Sequence, residues 1–409
     1  MRLKAISLFT GVGGLDLGFE AAGFETTVAL DIDPVACRTL RANRPWPVIK
    51  GDLGKLSSKR ILETANLRPG EADALIGGPP CQPFSKSGYW ATGDAKRLDD
   101  PRADTLIQYL RVLRDTLPKT FLLENVAGLA YRGKSEGIEA IQRGVDAINK
   151  GTGARYVLSV RALNAADYGV PQLRERVFVI GSRDGTTFQF PEPTHFPPTD
   201  RASRGRGEPY RTAWDALGDL DPGPENDELV MTGKWADLLP TIPEGQNYLW
   251  HTERGGGEPL FGWRRRYWSF LLKLSKCLPS WTVQAQPGPA TGPFHWRNRK
   301  LSAAELGRLQ TFPEGMIYDC RRSDCQRLIG NAVPSALAAL LAREIGVQLL
   351  EKTAMRVPLT LIPRRRSDLP KPEPVVPLPR KYRLLVDEHD EHPGTGKGPR
   401  AIHRVAVVA

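Results

Sequence analysis

An α/β fold with a mixed, mostly parallel seven-stranded sheet is the class this sequence predicts, on three observations. Through residue 185 short apolar runs alternate with helix-period segments. A glycine-rich turn, Phe9-Thr10-Gly11-Val12-Gly13-Gly14, follows the first apolar run and leads straight into a helical pattern. From about residue 186 Pro, Gly, Trp and Arg become frequent and periodicity fades, which predicts a second, smaller and irregular unit.

In chain order the strands fall at Ala5–Phe9, Thr27–Asp31, Val48–Lys50, Ala74–Ile76, Phe121–Leu123, Tyr156–Leu163 and Val177–Ile180. Helices fall near 14–23, 34–43, 104–117 and 135–150; Pro34 suits a first helical turn, and Asp33 can cap it. Ser302-Ala-Ala-Glu305 is a capping box, so a helix starts there and runs to Leu309. The apolar, helix-periodic run Ser335–Leu350 lies far along the chain and is expected to pack back on the first sheet. The organisation expected is a first unit over 1–185 completed by 324–350, a second over 186–323, and a Pro/Arg-rich flexible tail over 351–409.

The 409 residues suffice for two or three domains of ordinary size. No run of ~18 uncharged apolar residues occurs, so no ordinary membrane span is expected. Five cysteines without a CxxC pair, and no charged leader running into an apolar segment, predict reduced thiols in a cytoplasm. Cys320 and Cys325 have no nearby histidine and read as two thiols in a loop; no metal is expected. The net charge of +11 favours polyanionic partners. Its distribution is uneven: residues 352–409 carry twelve basic against six acidic side chains, 186–253 five against twelve, and 254–300 nine against one. The last of these stretches is the expected phosphate-facing surface.

Backbone amides at the glycine turn suit a nucleotide-like ligand. A nicotinamide fingerprint would place its third glycine at 16, where the chain has Asp16. Asp31, ending the second strand, can accept two ribose hydroxyls, and Asp52 after Gly51 can take an adenine amine; the competing reading is ordinary strand-end turn residues.

Strand Ala74–Ile76 runs into Gly77-Gly78-Pro79-Pro80-Cys81-Gln82-Pro83-Phe84-Ser85. The prolines stiffen the approach and present Cys81 at the carboxyl edge of the sheet, where a nucleophile belongs. A lone cysteine is more often a small buried hydrophobe, but its Gly and Pro neighbours favour the nucleophile. Zinc deaminase chemistry would want a cysteine at 84 and finds Phe84. Residues 85–103 read as a mobile lid. Glu124 ends another apolar strand, either as a cap for the next element or as a proton donor with a pKa raised by burial. In Gln172-Leu173-Arg174-Glu175-Arg176, alternation would put Gln172, Arg174 and Arg176 on one face, to grip acceptors or to stand as solvated edge charges.

The ordered set of motifs resembles the DNA (cytosine-5) methyltransferase family. It comprises the glycine turn, Asp31, Gly51-Asp52, Pro79-Pro80-Cys81-Gln82, Glu124-Asn125-Val126, Gln172-x-Arg174-x-Arg176, Arg299–Pro313 and Gly330-Asn331-Ala332-Val333-Pro334. The resemblance spans roughly 1–185 and 299–350, and the stretch between looks like a target recognition domain. It implies a Rossmann-like, S-adenosylmethionine-dependent methyltransferase domain. The cofactor would lie on Phe9, Gly11, Gly13 and Gly14, with Asp31 on its ribose, Ile32 and Asp52 at the adenine, and Pro80, Asn331, Ala332 and Val333 completing the pocket. Cys81 would add to a cytosine turned out of the duplex while Glu124, Arg174 and Arg176 hold the base.

The same resemblance implies double-stranded DNA as partner and a monomeric, prokaryotic, cytoplasmic modification enzyme. It would act alone or beside a restriction endonuclease of the same specificity, without a stable complex. Ser85, Arg264, Arg265, Arg266, Lys273 and Arg297 are the DNA-facing candidates, interleaved with Trp263, Tyr267, Trp268, Trp281 and Trp296, aromatics that at this density are more often core. A tRNA-acting relative would carry Cys-Phe-Thr, and no cysteine here is followed by Phe-Thr. A DNA-binding relative without catalysis is the other alternative, opposed by the intact Cys81, Glu124 and Arg174.

Overall fold

The computed structural model describes residues 2–80, 104–126, 136–198, 207–223, 226–263, 266–352 and 360–384. Seven strands form one sheet: β1 (Leu3–Leu8), β2 (Phe24–Asp31), β3 (Val48–Lys50), β4 (Ala74–Gly77), β5 (Thr120–Val126), β6 (Val157–Asn164) and β8 (Glu175–Ser182). Their order is β3-β2-β1-β4-β5-β8-β6, so the seven expected strands are all present. Neighbours pair in parallel except that β8 runs against both β5 and β6. The reversal has a functional consequence. It brings the beginning of β8, Glu175 and Arg176, to the edge where β1, β2, β4 and β5 end.

Period-two alternation sorts the strand side chains into two apolar layers. Ala5, Ile76, Leu122, Phe178 and Ile180 face one side; Ile6, Leu8, Leu75, Phe121, Leu123 and Val179 face the other. The second layer is covered by α3 (Ser58–Ala65), α4 (Asp104–Thr116) and α5 (Glu136–Thr152) through Ile61, Leu62, Val112, Leu113, Ile141 and Val145. Helix α3 was not expected: its eight residues, capped by Ser57, are too few to show a clear period. In α2 (Pro34–Asn43) the Asp33 carboxylate accepts from the Val35 amide at 2.8 Å, as the cap was read.

The first layer is covered by α1 (Gly14–Ala21) and by α9 (Ser335–Leu349), which returns to the sheet from the far end of the chain, as expected. Helix α9 is apolar nearly all round, and the helical stretch Arg322–Leu349 contains an 18-residue window apolar enough by composition to cross a membrane, 78% of which is buried inside the protein. The two helices approach so closely that a Cβ at Gly18 would lie 2.5 Å from the Ser335 carbonyl, and one at Gly14 2.4 Å from that of Val333.

The region after 186 contains the short pair β9 (His195–Phe196) and β10 (Glu208–Pro209), helix α6 (Ala213–Leu217), β11 (Ser280–Trp281) and α7 (Ala303–Leu309). Strand β11 pairs in parallel with β7 (Gln172–Leu173), stitching this region to the first. Its main core is shared: Trp214, Trp296, Leu306 and Phe312 pack with Val12, Leu17 and Ala36 of the first unit. The capping box stands as read, with Ser302 and Glu305 each accepting from the other's amide, at 3.2 and 2.8 Å. Helix α8 (Arg322–Asn331) precedes α9 and was not separately foreseen.

Residues 360–384 differ from the flexible tail expected of them. They run as a strap from the sheet side, where Ile362 packs, to a second core around Leu238, Tyr248 and Phe261. There Tyr382, on α10 (Arg380–Arg383), stacks on Trp235 with 6.0 Å between centroids, and its hydroxyl donates to the Lys234 carbonyl. Composition misled because the strap gains its partners from residues 231–294 and not from itself.

The crossing of α1 and α9 generates the first prediction. Gly18→Ala should cost roughly 1–3 kcal/mol, because backbone, not a flexible side chain, stands in the way. Gly151→Ala, in α5 with nothing within 4 Å of its Cβ, should be neutral or slightly stabilising. Denaturant midpoints of the two variants check both outcomes.

Candidate active site

The expected site residues that the structure describes converge on the carboxyl edge of the sheet. At the end of β1 the chain turns sharply: Phe9 and Gly11 both have positive φ, and Gly13, also left-handed, is the N-cap of α1. Asp31 organises this turn. Its Oδ2 accepts the Gly11 amide at 2.7 Å and its Oδ1 the Asp33 amide at 2.8 Å, leaving further lone pairs for a ligand. Burial raises its pKa against those hydrogen bonds.

Beside it Ile32 is 66% exposed, a large apolar side chain standing at the site with no cover of its own. Asp52 is exposed and accepts the Gly54 amide. The Asn331-Ala332-Val333 segment closes against the turn, Val333 lying on Gly14. A buried carboxylate, open space over Gly11 and an apolar platform fit an adenosine-bearing cofactor. Gly14, by contrast, is required by the packing of Val333 rather than by the ligand.

Beneath the turn lies a buried polar cluster that sequence reasoning read only as a departure from a fingerprint. Asp16 accepts from Ser7 at 3.0 Å and from Thr26 at 3.1 Å, and Ser7 meets Thr10, whose hydroxyl bonds the backbone of Leu30. With no cation among these partners, burial pushes the Asp16 pKa up to about 7.

The second half of the edge is chemical. Glu124 is buried and receives Arg176 Nε on its Oε1 at 2.9 Å; its Oε2 lies where a Cβ on Gly78 would come within 2.8 Å. Burial raises the Glu124 pKa, opposed by Arg176 and Arg174. The next residue, Asn125, donates its side-chain amide to the Pro79 carbonyl at 3.1 Å. Glu124-Asn125 therefore grips the loop immediately before Cys81. Cys81 and Ser85 themselves lie outside the described residues.

Arg174 and Arg176 separate in role. Arg174 is fully buried and donates to three carbonyls, Val283 at 3.2 Å, Gly330 at 2.6 Å and Ala332 at 2.9 Å. Gln172 accepts the Val283 amide at 2.9 Å and donates to Leu309 and Gln310. The expected common face thus divides: Gln172 and Arg174 clasp the chain internally, and Arg176 reaches the carboxylate.

These features meet the comparisons with known proteins at this point. The family model described as C-5 cytosine-specific DNA methylase matches residues 3–347. The chain belongs to that family. It is 41% identical over 373 residues to the Type II methyltransferase M.SacI of Streptomyces achromogenes, covering 85% of this chain and 94% of that one. It is 48% identical over 232 residues to the Type II methyltransferase M.AquIA of Picosynechococcus, covering 54% and 90%. The fold also matches the Entamoeba histolytica methyltransferase EhMeth, with a TM-score of 0.56 at 18% identity over 85% of this chain and 99% of that one. The family's reaction is S-adenosylmethionine-dependent, with duplex DNA as substrate.

The structure corrects the expected phosphate-facing surface. Lys273 is buried, donates to the Ile242 carbonyl at 2.5 Å and has its pKa lowered to about 8 by desolvation. Lys276 is also buried, between Glu244 and Glu373. Arg297 holds Asp221 in a bidentate pair at 2.9 and 3.0 Å. Of the candidates on this surface Arg266 and Arg297 are exposed, while Arg264 and Arg265 lie outside the described residues. The charges were visible in the sequence, but nothing local signals their distant acidic partners Asp221, Glu244 and Glu373.

Two predictions follow from this geometry. Arg174→Ala should destabilise the fold by about 3 kcal/mol or more, since three buried carbonyls lose their donor, and Arg174→Lys should not restore it. Denaturation of both variants decides. The second concerns Asp16. Folded, it keeps its proton until about pH 7; unfolded, it loses it near the ordinary value of 3.8. Between these values the folded state binds more protons, so this group makes stability fall as pH rises, on the order of 1 kcal/mol per unit. Asp16→Asn lacks that slope, so its stability relative to the parent should grow between pH 5 and pH 7.5.

Proposed function

We propose that this chain methylates C5 of a cytosine turned out of duplex DNA, through a transient bond from Cys81. The observation that carries the reading is the Glu124–Arg176 pair set against Gly78, with Asn125 holding Pro79 two residues before Cys81, on the same sheet edge as Asp31 and the glycine turn. The target carbon is unreachable in a stacked duplex, so the base must leave the helix.

Cytosine is too electron-poor at C5 to attack an alkylating agent directly. In the proposed sequence the Cys81 thiolate adds to C6 and Glu124, whose pKa burial raises, gives a proton to N3, so that C5 gains enamine character. Arg176 orients the Glu124 carboxyl. S-Adenosylmethionine supplies a methyl group on a positively charged sulfur for that carbon to take. A base then removes the C5 proton, its electron pair forms the C5–C6 double bond as the Cys81–C6 bond breaks, and N3 returns its proton to Glu124. Asp31 would hold the cofactor's ribose, Ile32 and Asp52 its adenine, and Asn331 to Val333 the pocket wall. The Type II methyltransferase relatives support a modification role; in this reading the protein would act as a monomer, alone or beside a restriction endonuclease of the same specificity.

Incorporation of labelled methyl groups into plasmid DNA tests the reading, with conversion sequencing to locate the product base. Cys81→Ala should abolish incorporation, and Glu124→Gln should lower kcat by roughly 10²–10⁴-fold. Incorporation by Cys81→Ala at the parent rate would overturn the covalent route. Absence of 5-methylcytosine with the parent protein would overturn the function.

A further inference from the structure

The five aromatic residues interleaved with the basic stretch are divided by the structure. Trp296 is core, and Trp263 is half-buried with the Arg254 guanidinium 4.7 Å from its ring centroid. Trp268, Trp281 and Tyr267 are exposed, at 52%, 39% and 68%. Trp268 and Trp281 meet each other edge to face with centroids 5.4 Å apart. Two large rings held together at the surface form an apolar patch that no part of the described chain covers, and large exposed patches mark binding sites.

Its position says what would cover it. Trp281 is on β11, paired with Leu173 of β7. Leu173 is three residues from Arg176, and three residues of chain span at most about 10 Å. Arg176 in turn touches Glu124. The strand cannot drift from this place, because Gln172 and Arg174 hold the amide and carbonyl of Val283, two residues after Trp281. The strand that carries Trp281 is thus tied, through β7, to the segment that places Arg176 on Glu124.

We infer that Trp268 and Trp281 form a stacking platform for nucleobases at the mouth of the active site, packing against a base left without its neighbour when the cytosine is withdrawn. The inference rests on the proposed function. Aromatic faces suit this role because every base has a π-face, so the platform positions DNA without reading its sequence. It also acts without charge, in a region whose Lys273, Lys276 and Arg297 are engaged elsewhere.

The experiment compares the parent protein with the W268A/W281A and W268F/W281F double variants on plasmid DNA from a methylation-free host. The alanine variant should bind DNA roughly tenfold or more weakly. The slope of log affinity against log salt should be unchanged, because no phosphate contact is lost. Its affinity for S-adenosylmethionine and its thermal unfolding should match the parent, and the phenylalanine variant should recover most of the DNA binding. DNA should also protect the parent's tryptophan fluorescence from iodide, and this protection should shrink in the alanine variant.

Equal DNA affinity in parent and alanine variant, or a reduced salt slope, would overturn the platform. So would a dimer of the parent that the alanine variant dissolves, since the patch would then belong to a second copy. If the parent itself transfers no methyl group to DNA, the proposed function fails first. If it does and the alanine variant binds equally well, the platform alone fails.

Discussion

One buried guanidinium gathers segments of the chain that each lie more than a hundred residues beyond it. Arg174, just before β8, takes the carbonyls of Val283 just after β11, of Gly330 in the last turn of α8 and of Ala332 between α8 and α9. Each of these segments borders the site. Val283 follows the strand that carries Trp281, and Ala332 precedes Val333, which rests on the glycine turn. Arginine suits the position because its planar fork can satisfy several acceptors at once, which a single ammonium cannot. The penalty for burying it is tolerable only with those acceptors in place, so the three segments must assemble together.

That constraint explains why the reversed strand matters. In a fully parallel sheet the start of β8 would lie at the opposite edge from Glu124. Running antiparallel, it delivers Arg174 and Arg176 to the edge where β4 and β5 end. The two arginines then share the work: Arg174 fixes the walls, and Arg176 lies on the Glu124 carboxyl. Glu124 remains a group of raised pKa even with a cation beside it, because desolvation outweighs the pair.

Much of this was legible in the sequence where chemistry is local. All seven strands, the caps at Asp33 and Ser302, and the return of the Ser335–Leu350 helix to the first sheet follow from period and capping residues. Asp31, Glu124 and the loop before Cys81 fell at strand ends, where α/β sites lie. Long-range pairing was not legible. Nothing in Gln172-Leu173-Arg174-Glu175-Arg176 separates an arginine that faces backbone carbonyls from one that faces a carboxylate, because the acceptors come from residues 283, 330 and 332. Asp16 was likewise visible only as a misplaced residue in a fingerprint, whereas its partners Ser7 and Thr26 lie on two neighbouring strands.

Charge shows the same division most plainly. The acidic stretch 186–253 and the basic stretch 254–300 are complements within one unit: Asp221 takes Arg297, and Glu244 takes Lys276. The strap extends the pattern, with Arg366 on Asp219, Lys381 on Asp237 and Arg383 on Glu258. Exposed pairs of this kind add little stability each, yet they consume the positive charge that a count of residues would assign to phosphate binding. Nonspecific attraction to DNA must then come from whatever cations stay outside these pairs, and contact near the pocket must depend more on shape and apolar surface. Where residues 186–300 pair their charges in this way, the exposed Trp268 and Trp281 are apolar surface that those pairs leave free.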